Sequence, residues 1–194
     1  MTATPSAYPV QFSVDYPDRQ LDRLSSFFRI ITFIPIAVVL YLVGESGALA
    51  LASLVMIVFR RKYPRWWFDW NLNLMRFENR VMTYLLLLRD EYPSTDEEQA
   101  VHVEIPYPDV QKDLNRWLPL IKWLLAIPHY VLLVVLWIGV VVVVLFTWFG
   151  VLFTGRYPRD LFDYVVGVMR WSNRVWAYAF VLSTDKYPPF RLSA

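Results

Sequence analysis

The longest run of the chain without a formal charge extends from Trp123 to Gly155, between Lys122 and Arg156, and its centre, Leu132–Leu145, holds only aliphatic residues, Trp137 and Gly139. Such a run belongs in a bilayer or deep in a core. As one straight helix its 33 residues would measure about 50 Å, against a hydrocarbon layer of about 30 Å. A single untilted span is therefore disfavoured, and a hairpin with spans at about 117–137 and 139–154 is expected. The first half of the chain carries a similar run, Ile30–Gly44 and Ser46–Phe59, interrupted by Gly44-Glu45-Ser46-Gly47. That interruption reads as the turn of a second hairpin, with spans at about 24–43 and 47–60.

Two other patterns surround these runs. Val10–Val14 and Val101–Ile105 alternate apolar and polar residues with a period of two, as a short strand with one buried face would. From about 65 to 89, and again from about 159 to 183, apolar residues recur at helical spacing: Trp67, Trp70, Leu74, Phe77, Val81 and Leu85 form one face, opposite Asp69, Asn73, Arg76 and Arg80. Charges at Asp69, Arg76, Glu78 and Arg80 would each cost a few kcal/mol near a bilayer centre, so an amphipathic helix lying at the interface is expected. Tyr63, Trp66, Trp67, Trp70, Tyr157, Trp171 and Trp176 are its expected anchors at headgroup level.

The chain is a tandem duplication. A shift of 94 residues lays Tyr63-Pro64-Arg65 on Tyr157-Pro158-Arg159, Phe68-Asp69 on Phe162-Asp163, Met75-Arg76 on Met169-Arg170, and Asn79-Arg80-Val81 on Asn173-Arg174-Val175. With small changes of offset, Ile34-Pro35 falls on Ile127-Pro128, Arg23 on Arg116, Arg29 on Lys122, Tyr16-Pro17-Asp18 on Tyr107-Pro108-Asp109, and Tyr92-Pro93 on Tyr187-Pro188. The first repeat covers 1–94, a linker 95–100, and the second repeat 101–194. The expected fold is a mainly α membrane protein of two parallel repeats, each with a short strand, a transmembrane helical hairpin and an amphipathic interfacial helix. The two strands are free to pair with each other or to accept a strand from a partner. Pro35 and Pro128 should bend both units at the same depth. Seven of the 13 prolines follow a tyrosine, and these pairs fall where elements begin and end.

Charge decides orientation. Both ends of each apolar run are basic, through Arg19, Arg23, Arg29 and Arg60-Arg61-Lys62 in one repeat and Lys112, Arg116, Lys122 and Arg156 in the other. The positive-inside rule places both termini in the cytoplasm, in a multi-pass protein of the plasma or bacterial inner membrane. Residues 1–22 have no apolar core and do not read as a cleaved signal peptide.

Composition narrows the chemistry. Of the 194 residues 57% are hydrophobic, none is cysteine and the net charge is +2, so a disulfide framework and thiolate metal sites are excluded and nucleic acid is not an expected partner. His102 and His129 are too far apart in context to form a metal pair, and His129 has Ile36 as its counterpart. No phosphate loop or nucleophile elbow is present, so no catalytic residue, metal or cofactor is assigned. Within the spans only Thr32, Ser53, Thr147, the prolines and a few glycines could line a solute path. Asp69, Arg76 and Arg80 recur as Asp163, Arg170 and Arg174 at sevenfold and fourfold spacings, which places each set on one helix face. Such a cluster either binds a lipid headgroup or ties the helix to its surroundings.

In these motifs, over nearly its whole length and in two copies, the chain resembles the bacterial membrane proteins grouped as domain-of-unknown-function family 4389. Tyr63-Pro64, Arg76, Asn79-Arg80-Val81 and Tyr92-Pro93 carry the resemblance, with Tyr157-Pro158, Arg170, Asn173-Arg174-Val175 and Tyr187-Pro188 as the second set. It implies the membrane topology and no activity. The expectation is a non-enzymatic integral membrane protein, an accessory or scaffold subunit in contact with membrane lipids and with a protein partner or further copies of itself. The alternative is a lipid-handling protein that uses the paired arginine clusters.

Overall fold

The computed structural model describes residues 8–44 and 46–194, without the side chains of 46–48. Strand β1 (Gln11–Val14) is followed by helices α1 (Arg23–Val43), α2 (Ser46–Arg60) and α3 (Arg65–Leu85), and strand β2 (Val101–Glu104) by helices α4 (Pro119–Leu125), α5 (Ile127–Thr154) and α6 (Arg159–Trp176), the last running on into a π-helical turn, Ala177–Val181.

The period-two segments form one antiparallel ribbon. Phe12 lies opposite Val103 and Val14 opposite Val101. All four are buried, which puts the apolar face of the ribbon on the core as the alternation requires. Because Phe12 and Val103 are counterparts in the two repeats, the pseudo-twofold axis that relates the repeats passes between them.

The apolar runs depart from expectation. The turn predicted near Trp137-Ile138-Gly139 is absent, and α5 is one continuous helix of 28 residues, about 42 Å long. Gly139 serves packing instead of a turn: a Cβ there would lie 2.4 Å from the hydroxyl of Tyr164, which donates to the carbonyl of Leu136 at 2.9 Å. In the first repeat α1 ends at Val43, capped by Gly44, and α2 begins at Ser46; Glu45 of the expected turn lies outside the described residues. Among the described residues α1 packs on α3 and α5, and α2 on α4 and the π-helical turn, so the first repeat does not build its core from an α1–α2 pair. Among the described residues two helices, α1 and α5, are long and apolar enough to cross a membrane, where four spans were expected; α2 has 15 residues.

The matching prolines also differ. Pro35 sits inside α1, whereas Pro128 lies in the first turn of α5 and separates it from α4. A proline removes one backbone donor, which a helix start does not need and a helix interior does. The helical bonding nearly bridges the break, with the Ala126 amide on the Lys122 carbonyl and the Tyr130 amide on the Ala126 carbonyl.

Helices α3 and α6 hold the centre. Phe68, Met75, Phe77, Val81, Phe162, Val165, Val168 and Val175 are buried, and α6 is buried on more than one face. The helices expected at the interface therefore form the core on which the ribbon and the apolar helices pack.

Candidate functional site

Equivalent residues of the two repeats meet across the axis in polar contacts. The side chains of Asn79 and Asn173 exchange hydrogen bonds, each Nδ2 donating to the other Oδ1 at 2.8 and 2.7 Å, and each also donating to the carbonyl four residues back, on Met75 and Met169. Both are buried, and reciprocal pairing satisfies two amides that would otherwise be costly. Asparagine at matching positions of both copies was visible in the sequence; that the two touch was not.

The arginines of the predicted clusters reach backbone carbonyls, and Arg76 and Arg170 reach into the other repeat. Arg76 Nε donates to the Val103 carbonyl of β2 at 3.1 Å, and Arg170 Nε to the Phe12 carbonyl of β1 at 2.9 Å. Arg80 and Arg174 hold the segments that follow their own helices, on the carbonyls of Ser94 at 2.8 Å and Arg191 at 3.3 Å. Arg170 also donates to the Leu192 carbonyl at 2.8 Å. Burial lowers the guanidinium pKa of Arg80, Arg170 and Arg174, with the neighbouring Arg76 adding to the effect on Arg80 and Arg191 and Arg170 to that on Arg174.

The aspartates do not join them. Asp69 pairs with Arg65 at 3.2 Å and Asp163 with Arg159 at 3.5 Å, each partner four residues earlier in the helix. The sevenfold spacing keeps Asp69 and Arg76 on one face but about 10 Å apart along the axis, whereas a fourfold spacing is about 6 Å. The expected Asp–Arg–Arg cluster thus resolves into two surface pairs and four arginines with carbonyl partners.

A second pair of sites escaped the sequence reading. Arg29 of α1 lies 2% exposed, 2.5 Å from Asp90 and with its guanidinium 4.1 Å above the Tyr84 ring. Its counterpart Lys122 of α4 is fully buried, 2.7 Å from Asp185, and donates at 2.7 Å to the Thr184 carbonyl beside the Tyr178 ring. Asp90 stands two residues before Tyr92-Pro93, as Asp185 does before Tyr187-Pro188. That repeated spacing was the available signal.

The expected anchors divide. Trp66 and Trp70 are exposed and Trp67 and Trp176 half-buried, but Tyr63, Tyr157 and Trp171 are core residues. Tyr63 and Tyr157 accept hydrogen bonds at their carbonyls from the hydroxyls of Tyr107 and Tyr16, once more across the repeats, and burial pushes the Tyr157 phenol up to about 12. The Trp171 indole donates to His129 Nδ1 at 2.9 Å, and the buried His129 ring stacks on Phe190 at 4.0 Å. Their counterparts in the first repeat, Ile36 and Phe77, make an apolar contact instead, which gives His129 a packing role. His102 is exposed beside Asp15. Among the described residues no group of three or more His, Asp or Glu could hold a metal.

The match to known families follows the same two units. The family model described as a domain of unknown function, DUF4389, matches residues 23–95 and again 117–191, and the chain belongs to this family in two tandem copies. No curated protein and no solved structure matches the chain.

Proposed function

We propose that the chain is an integral membrane protein, with both termini on the cytoplasmic side of the plasma or inner membrane, that acts as a non-enzymatic accessory or scaffold subunit of a membrane complex. The observation that carries this reading is the exposure of α1 and α5: in each, only 17% of the most apolar stretch is buried. Ile30, Leu42, Val135, Phe146 and Phe153 all point away from the protein. A water-soluble monomer rarely shows an apolar patch beyond a few hundred Å², whereas a bilayer or a partner in it covers such a surface without cost.

The polar groups support the non-catalytic part of the reading. Arg29, Arg76, Arg170, Lys122, Asn79 and Asn173 are engaged in contacts that join segments of the chain, leaving them little freedom to act on a substrate. The same engagement weighs against Arg76, Arg80, Arg170 and Arg174 as lipid-handling groups.

The test is gentle solubilisation from the native membrane followed by mass spectrometry of what stays bound. Retention in the membrane pellet through carbonate, with a protein partner or further copies of the chain at fixed stoichiometry, is the expected result. Release by carbonate would remove the membrane reading, and recovery of a folded lone protomer would remove the subunit reading.

A further inference from the structure

The two repeats differ where their apolar runs end. Residues Arg60-Arg61-Lys62 stand where the second repeat has Thr154-Gly155-Arg156. Both helices close with the same device: the amide of Arg61 bonds the Ile57 carbonyl at 3.1 Å, and that of Gly155 the Val151 carbonyl at 2.8 Å. The closing residue takes the left-handed conformation in each case, with φ of 47° at Arg61 and 70° at Gly155. Glycine enters this region freely, and a residue with a Cβ enters it at a cost. Arg61 therefore occupies a position that the duplicated unit itself shows to be suited to glycine.

The substitution changes the surroundings. At the end of α5 Gln20 of the first repeat packs so closely on Gly155 that a Cβ would sit 3.2 Å from its side-chain oxygen, and the Leu21 amide bonds the Gly155 carbonyl at 2.8 Å. At the end of α2 the matching segment, which comes from the second repeat, turns back on itself, with the amides of Lys112 and Asp113 on the Asp109 carbonyl. What opens there is a cleft of about 590 Å³, lined by Arg61, Lys62, Tyr63, Pro64, Tyr107 and the 108–111 turn. Its one carboxylate, Asp109, is engaged by Lys112 at 3.4 Å and by the Gln111 amide. Arg60, Arg61 and Lys62 are all exposed, and the apolar residues on either side of them in sequence, Phe59 and Trp66, are 72% and 68% exposed.

We propose that this cleft binds the phosphate of an anionic phospholipid, held by Arg61 and Lys62 with Phe59 and Trp66 set in the lipid beside it. The assignment rests on the membrane reading above and adds a ligand to it. Guanidinium and ammonium groups at the end of an apolar helix meet a phosphodiester where headgroups lie, and each contributes about a fivefold preference for an anionic surface. The cleft lies at the end of α2, between the two repeats, and the end of α5 has Gly155 and Arg156 in place of its Arg61 and Lys62.

The asymmetry supplies a variant that keeps the fold. Arg61→Gly makes the first repeat resemble the second and relieves the backbone, so thermal stability stays level or rises. The experiment places the full chain in vesicles of mixed phosphatidylglycerol and phosphatidylcholine, extracts it gently, and counts by native mass spectrometry the lipids that remain bound. The wild-type chain is expected to retain phosphatidylglycerol selectively. Arg61→Gly should lower that selectivity about fivefold and Arg61→Gly with Lys62→Gln further, while Arg156→Gln leaves it unchanged. Equal retention in the Arg61→Gly variant overturns the site, as does an equal loss from Arg156→Gln, which would reduce the effect to net charge. Displacement of the lipid by excess inorganic phosphate overturns the assignment to a phospholipid. A chain that leaves the vesicles in carbonate fails the membrane reading itself, a result distinct from a chain that stays embedded without lipid preference.

Discussion

The two repeats place equivalent residues in equivalent contacts but build those contacts from different chemistry. Arg29–Asp90–Tyr84 in the first becomes Lys122–Asp185–Tyr178 in the second, and Ile36 against Phe77 becomes His129 against Trp171. In each case both sides of the contact are accommodated: a cation keeps its aspartate, and an indole N–H arrives with the imidazole that accepts it. The contact geometry is what duplication preserved. In the second of these contacts the side chain and its partner changed together.

Removing one partner at a time breaks that balance, and the largest effect is expected at Lys122. Lys122→Ala leaves Asp185 without its cation beneath α4 and should cost about 3–5 kcal/mol. Lys122→Arg, which copies the first repeat, should recover most of this. Denaturant unfolding in detergent measures both, and a Lys122→Ala chain as stable as wild type would mean that the pair carries no weight.

Next comes the asparagine pair on the axis. Asn79→Leu or Asn173→Leu alone strands the opposing amide and should cost about 1–3 kcal/mol. The double variant should cost less than the sum, and strict additivity in the double-mutant cycle would show that the two side chains are not coupled.

A smaller effect is expected from making the second repeat copy the first. His129→Ile leaves the Trp171 indole unpaired, at about 1–2 kcal/mol, and Trp171→Phe in the same chain should return most of it. If the double variant is no better than His129→Ile alone, the hydrogen bond is not what holds the histidine there. The mildest test concerns the helix that the first repeat interrupts. Gly139→Ala meets the Tyr164 hydroxyl and should lower stability by about 1 kcal/mol. Gly150→Ala meets nothing within 4 Å and should be neutral or slightly stabilising. Matching melting temperatures for the two variants would remove Gly139 as a packing position.

Much of the architecture is determined by the sequence alone. The duplication, the two strands with their buried faces, and the Tyr-Pro boundaries ahead of α3 and α6 all follow from local spacing, and local backbone preference enforces them wherever the segment ends up. Which elements meet is another matter. Nothing in the periodicity of α3 tells that Arg76 reaches the strand of the other repeat, that Asp69 turns back to Arg65, or that Asn79 finds Asn173. The hairpin in the second repeat failed for the same reason. A glycine between aliphatic residues is equally a turn or a close approach, and only the presence of Tyr164 against Gly139 makes it the latter. Periodicity is a property of neighbours along the chain, while partner choice is settled by which buried polar groups can all be satisfied at once, and that depends on every segment together.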